Sequence, residues 1–141
     1  MFRGEFKYCL DAKNRLRIPA KFRAELGEQF VIMKGIGNCL NALSQKTMDE
    51  FSAKFGGVSA FDDEGRSAMR TLLRATADVE NDDQGRFLLP QNLKEHARID
   101  KNVVIIGMND MIEIWSEEAL NSLDEGKDDN KSLSELSKFG I

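Results

Sequence analysis

Residues that staple a chain or hold a metal are scarce in this sequence. Its 141 residues include two cysteines, Cys9 and Cys39, one histidine and no Cys-x-x-Cys. A disulfide framework needs an oxidising compartment and more cysteines, and a structural zinc site needs clustered Cys and His. Both cysteines are therefore expected as small buried hydrophobes, and no metal is expected. Long apolar runs are missing too. The longest, such as Val103-Val104-Ile105-Ile106, is far too short to span a bilayer. The opening Met1-Phe2-Arg3-Gly4-Glu5-Phe6-Lys7 has no signal-peptide core, so a cytoplasmic location with no membrane partner is expected. No nucleophile–base constellation and no phosphate-binding glycine loop is visible. That argues against an enzyme, a cofactor or a small-molecule substrate. An excess of positive charge is also lacking, with a net charge of −4.

Proline occurs only twice, and both prolines close the same pattern. The first copy reads Asp11-Ala12-Lys13-Asn14-Arg15-Leu16-Arg17-Ile18-Pro19, and the second reads Asp82-Asp83-Gln84-Gly85-Arg86-Phe87-Leu88-Leu89-Pro90. A shift of 71 positions superposes Asp, Arg and Pro, which suggests one unit used twice. A three-residue hairpin loop carries a type I turn followed by a residue with positive φ. Asn14 and Gly85, two residues that tolerate that conformation, occupy the slot. Asp and Arg then face each other across the loop mouth as an opposite-charge pair. Period-two alternation puts Arg15 and Arg17 on one face and Leu16 and Ile18 on the other. Arg86 and Leu88 share the first face in the second copy, Phe87 and Leu89 the second. Each Pro suits the first turn of a helix. The motif alone reads equally as a turn with an exposed ion pair, worth about 0–1 kcal/mol. Its recurrence, and the basic residues around the first copy, favour a functional reading.

The chain is long enough for one compact domain or two small interlocked halves, and halves this small should pack together. Residues 5–10 are expected to pair with 15–18 as a first hairpin. A Pro19-led helix follows, with Phe22 and Leu26 inward and Gly27 at its end. Phe30-Val31-Ile32-Met33 reads as a buried strand, Gly35–Asn38 as a turn and Cys39–Leu43 as the return strand. Ser44 caps a helix through Met48, Phe51 and Phe55. A helix over about 62–76 carries Met69, Leu72, Leu73 and Thr76 on one side and Arg66, Arg70 and Arg74 on another stripe. Those arginines fit a solvated face, a subunit contact or a DNA-backbone contact. The second half repeats the order: residues 77–81 and 86–89 as a hairpin, a Pro90-led helix with Leu93 and Ala97 inward, and strands at Val103–Ile106 and Met111–Trp115. Ser116 caps the helix after them. His96 reads as a surface or packing residue. This divides the chain into a first half (1–57), a connecting helix (58–76), a second half (77–123) and an acidic linker with a terminal segment (124–141). In that segment Ser132 and Glu135 fit a capping box, and Leu133, Leu136 and Phe139 could line one side of a short helix. It should dock on the body or on a neighbouring subunit, or be disordered.

Charge is unevenly spread. Residues 1–26 hold seven basic residues against three acidic ones, whereas residues 117–130 hold one against six. Local charge steers a polyanion more than the total does.

Together these residues resemble the MraZ family. The resemblance rests on Met1-Phe2-Arg3-Gly4-Glu5, on Leu10 to Arg15 and Ile18 to Arg23, and on Asp82 to Arg86 followed by Pro90. Val104-Ile105-Ile106-Gly107 and Ile112-Glu113-Ile114-Trp115-Ser116 add to it, so that it covers about residues 1–120. It implies an α+β, mostly β fold: a pseudo-twofold pair of AbrB-like swapped-hairpin halves with short Pro-led helices and flanking helices. It further implies a homo-oligomeric, ring-forming, nucleoid-associated transcription factor. Such a factor binds short repeats upstream of its own cell-division and cell-wall operon through the Asp-x-x-x-Arg loops.

The expected DNA-contacting residues follow from both readings. Arg15 and Arg86 are candidates for base-edge contacts, with Asp11 and Asp82 orienting them. Lys13, Arg17, Lys21 and Arg23 suit phosphates. Asn14, Gln84 and Gly85 complete the loops. Leu88 stands where the first copy has Arg17, so the second loop is the less basic. An oligomeric protein-interaction module of antitoxin or scaffold type is the competing reading, motivated by the acidic linker and the apolar terminal segment.

Overall fold

Leu16 and Phe87, 71 positions apart and equivalent in the two copies, lie directly opposite each other in one antiparallel ribbon. A pseudo-twofold axis therefore passes between them. This arrangement is seen in a computed structural model that describes residues 1–141. The strands are β1 (Glu5–Cys9), β2 (Arg15–Arg17), β3 (Gln29–Lys34), β4 (Cys39–Ser44), β5 (Ala77–Glu80), β6 (Arg86–Leu88), β7 (Asn102–Met108) and β8 (Met111–Ser116). The helices are α1 (Ala20–Leu26), α2 (Gln45–Ala53), α3 (Asp63–Leu73), α4 (Gln91–His96), α5 (Glu117–Asp124) and α6 (Asp129–Ser134). Single 3-10 turns follow α2 (Lys54–Gly57) and α6 (Glu135–Phe139).

Six strands form one antiparallel sheet in the order β1-β7-β8-β4-β3-β5, while β2 and β6 form a separate two-stranded ribbon. Past the loops the repeat continues with a shift of 72 positions, which makes Asn41 and Glu113 equivalent; they pair across the β4–β8 seam, so the same axis runs through the sheet. The fold is α+β and mostly antiparallel β, with the halves interleaved rather than stacked.

That interleaving corrects the expected local hairpins. β1 pairs with β7, not β2, and β5 pairs with β3, not β6. Each loop is closed at its mouth by backbone bonds (Asp11 N–H to Arg15 O, Asp82 N–H to Arg86 O), but the strands then part to the other half. Alternation reports which face a side chain takes, not which strand lies beside it. Here the larger apolar surface comes from pairing across halves.

One face of the sheet meets the ribbon, α1 and α4. Leu16, Ile18, Phe87 and Leu89 from the ribbon, Phe22 and Leu93 from the helices, and Phe30, Ile32, Ile105 and Ile114 from the sheet join one buried cluster. Phe87 meets Phe30 edge-on at 5.2 Å. Phe22 meets Phe2 and Phe6 in the same manner, at 5.2 and 5.1 Å. On the other face Val31, Met33 and Leu43 pack with Met48, Phe51 and Leu72. Cys39, Val104, Trp115 and Leu120 form a smaller group. Burial on both faces explains why β3 reads as a continuous apolar run.

Three further expectations need correction. Cys39 is buried, and burial beside Glu113 pushes its thiol up to about 11. Cys9, however, is exposed, because it falls on the outward phase of edge strand β1. The helix after the acidic stretch is capped by Asp128, which accepts from the Asn130 N–H, and Ser132 lies inside it. The connecting helix is shorter than expected, with the Asp62 side chain capping it through the Gly65 N–H. Of the alternatives open for the terminal segment, docking on its own body is not the one seen: Leu133, Leu136, Phe139 and Ile141 are all exposed. The other caps match expectation. Ser44 accepts from Thr47 N–H and Ser116 from Ala119 N–H. Gly27, at positive φ, ends α1.

Candidate nucleic-acid interface

The ribbon presents both Asp-x-x-x-Arg loops together. In the first, Asp11 Oδ1 accepts from the backbone N–H groups of Lys13 (2.9 Å) and Arg15 (2.8 Å). In the second, Asp82 Oδ1 accepts from Gln84 N–H (2.8 Å) and Arg86 N–H (3.0 Å). Asn14 and Gly85 both take positive φ, 59° and 74°, where the chain turns back into the ribbon. The identical bonding in both copies follows from the shared Asp: its side chain satisfies the loop amides that a three-residue turn leaves open.

The two loops then lock to each other. Arg15 Nε donates to Asp11 Oδ2 at 2.8 Å, and Arg86 Nη1 reaches the same oxygen at 3.4 Å. Arg86 Nε lies 3.5 Å from Asp82 Oδ2, and Arg15 Nη1 lies 3.9 Å from it. Two carboxylates and two guanidiniums thus form one four-membered cluster across the pseudo-twofold axis. Asp11 is its hub, since one of its oxygens accepts hydrogen bonds from both arginines, whereas Asp82 Oδ2 meets them only at ion-pair distance. The side chains of Arg15 and Arg86 stay 30% and 23% exposed, so the cluster sits at the surface. The backbone amide of Arg15 chiefly holds the Asp11 carboxyl below its usual range, helped by the Arg15 side chain and Lys13 N–H. The Arg86 amide chiefly does the same for Asp82. Both acids are ionised at neutral pH, which suits bracing and not proton donation.

Backbone bonds reinforce the pairing: Ile18 N–H donates to Gly85 O (3.3 Å) and Leu89 N–H to Asn14 O (3.0 Å). Arg17 Nη1 donates to Gln84 O at 2.8 Å, so a side chain of the first loop rests on the second. Arg23, on α1, donates from Nε to Ile18 O. Its guanidinium lies 2.5 Å from where a Cβ on Gly85 would stand, so a side chain there would have to displace Arg23, and the positive φ favours Gly as well. Lys13 is exposed at the loop tip and Lys21 is exposed on α1. Neither forms an ion pair. The structure therefore gathers Asp11, Asn14, Arg15, Arg17, Arg23, Asp82, Gln84, Gly85 and Arg86 by direct contact. It leaves the side chains of Lys13 and Lys21 outside the bonded network, Lys13 joining only through its backbone N–H.

Sequence reasoning missed Asn81. It sits immediately before Asp82, is 9% exposed, and neither side-chain polar atom has a partner. The repeat itself carried the signal, because the equivalent residue is Leu10. His96 borders a cavity of about 760 Å³ with Lys34, Asp63 and Leu72, away from the loops. No group of three or more His, Cys, Asp or Glu is placed to share a metal ion. No helix is long and apolar enough to cross a membrane.

The duplicated architecture is matched by a family model described as "MraZ protein, putative antitoxin-like", once over residues 1–71 and again over 72–135. The chain belongs to the MraZ family. Among its relatives is the Transcriptional regulator MraZ of Carboxydothermus hydrogenoformans, 41% identical over 126 residues, which span 89% of this chain and 88% of that one. The MraZ regulators of Acetivibrio thermocellus and Clostridium beijerinckii are 39% and 41% identical, each over the full length of both chains. The expected family membership and fold class both hold.

Proposed function

We propose that this protein is a transcriptional regulator that binds promoter DNA through the paired loops, repressing its own cell-division and cell-wall operon as a homo-oligomer in the cytoplasm. One observation carries the reading: two loops from different halves converge on one half-buried arginine–aspartate cluster at the surface. Arg15 and Arg86 are the base-reading groups. A guanidinium donating both bonds to a guanine edge contributes about 1–3 kcal/mol of discrimination. Asp11 and Asp82 hold the guanidiniums in place and, left unpaired, would repel phosphate. Lys13, Arg17, Lys21 and Arg23 bind phosphates and set position rather than sequence. A single protomer offers few contacts, so repeated sites and several protomers supply affinity through effective concentration. The names of the relatives above support the regulatory role.

Binding to its own promoter fragment at two salt concentrations tests this. Each neutralised phosphate should steepen the log–log slope by about 0.9. Arg15→Ala should abolish discrimination between cognate and scrambled DNA while leaving most of the salt slope. Discrimination that survives the substitution would remove the base-reading assignment, and affinity indifferent to salt would remove the phosphate contacts.

A further inference from the structure

Two surfaces of the chain are unpartnered, and they complement each other. The first is the outer face of α3. This helix buries no residue of its own. Leu72 leans on the Val31–Met33–Leu43 group, but Arg66, Met69, Arg70 and Leu73 line an open groove of about 270 Å³ on the other side. Their spacing of three and four places them on one stripe, and Arg74 extends it. None of the three arginines has an acidic partner among the ion pairs of the structure. The second surface is the terminal segment. Leu133, Phe139 and Ile141 are 62, 76 and 81% exposed, with acidic Asp124, Glu125, Asp128 and Asp129 just before them.

We infer that the terminal segment of one copy docks on the α3 face of a second copy. Its apolar side chains would cover Met69 and Leu73, and its acidic stretch would meet Arg66, Arg70 and Arg74. Charge complementarity and the alternation of arginine with apolar residues select this occupant. A phosphodiester backbone would satisfy the arginines but leave Met69 and Leu73 uncovered. An apolar helix would do the reverse. The two surfaces are different patches, so the contact is heterologous and each copy both gives and receives a tail.

Mixing two full-length variants tests the inference without truncation. Leu133→Asp/Phe139→Asp disables the tail, and Arg66→Glu/Arg70→Glu disables the face; all four residues are exposed, so folding is spared. In light scattering each variant alone should self-associate about tenfold more weakly than wild type. A mixture should form a one-to-one pair through the single intact contact. Adding Asp128→Lys/Asp129→Lys to the face variant should restore its self-association. Either of three results overturns the inference: both variants keep the wild-type mass, the tail amides of a dilute monomer are as protected from exchange as at high concentration, or the face variant loses only DNA affinity. The second result would mean that the tail folds back on its own chain, and the third that the arginines serve phosphate.

Discussion

Asn81 and Leu10 occupy the same place in the two copies, and only one of them suits it. Both backbone N–H groups are bonded, Asn81 to Glu28 O and Leu10 to Lys101 O, so the difference lies in the side chain. A buried amide with no partner costs about 1–3 kcal/mol. Asn81→Leu, which keeps the branching and the number of side-chain heavy atoms but is the larger residue, should therefore raise stability by up to about that amount, less what the added volume costs, seen as a higher urea midpoint with an unchanged slope. The two loop aspartates set a pH dependence of known sign. Their carboxyls lie below the ordinary value of 3.8 in the folded protein. Their contribution is thus complete above that value and is lost as pH falls through the lower folded one. Loop geometry should be constant through neutral pH and loosen only below about pH 4, which carboxyl-carbon NMR shifts of Asp11 and Asp82 would follow. Much at this scale was legible: the Asp–Arg facing pair, the positive φ at Asn14 and Gly85, and the inward Leu16 and Phe87. The cross-loop bonds of Asp11 to Arg86 and of Arg17 to Gln84 were not, because nothing local specifies which distant loop arrives alongside.

Elements were recognisable where a local signal closes them. Ser44 and Ser116 both stand at a strand end and both accept from the amide three residues on. Glu117 and Glu118 add favourable charge to the first turn of α5. Ser116→Ala should cost about 1 kcal/mol, and more than an exposed cap would, because Ser116 is only 2% exposed. Thermal unfolding of the variant measures this. Where two local signals competed, the reading failed. Ser132 and Glu135 fit the capping pattern, but Asp128 lies one turn earlier and its carboxylate accepts from the Asn130 N–H. Strand pairing failed for another reason. Residues 5–9 and 77–80 alternate as edge strands should, yet alternation carries no record of the partner. The pairing was decided by the long apolar strands β3 and β7, which need a neighbour on each side.

At the scale of the whole molecule, the two halves share so much that neither has a core of its own. The ribbon takes one strand from each, the six-stranded sheet takes three from each with β1 and β5 each paired to a strand of the other half, and Phe87 of the second half packs edge-on against Phe30 of the first. A half of about 60 residues would be marginal alone in any case. Unfolding should therefore be a single event. The lone tryptophan, Trp115, sits on the β4–β8 seam opposite Cys39 and reports on that seam. Far-UV circular dichroism reports on all elements at once. In wild type the two transitions should coincide in denaturant. Phe87→Ala empties a fully buried site on the pseudo-twofold axis and should cost about 3–5 kcal/mol. The informative part is how that loss appears. If the halves are interleaved as described, Trp115 fluorescence and circular dichroism shift together, although Phe87 lies in the ribbon and Trp115 in the sheet. Two separated transitions would mean that the ribbon melts independently. The loops that it presents would then form a detachable unit rather than the rigid platform that the proposed reading of a double helix requires.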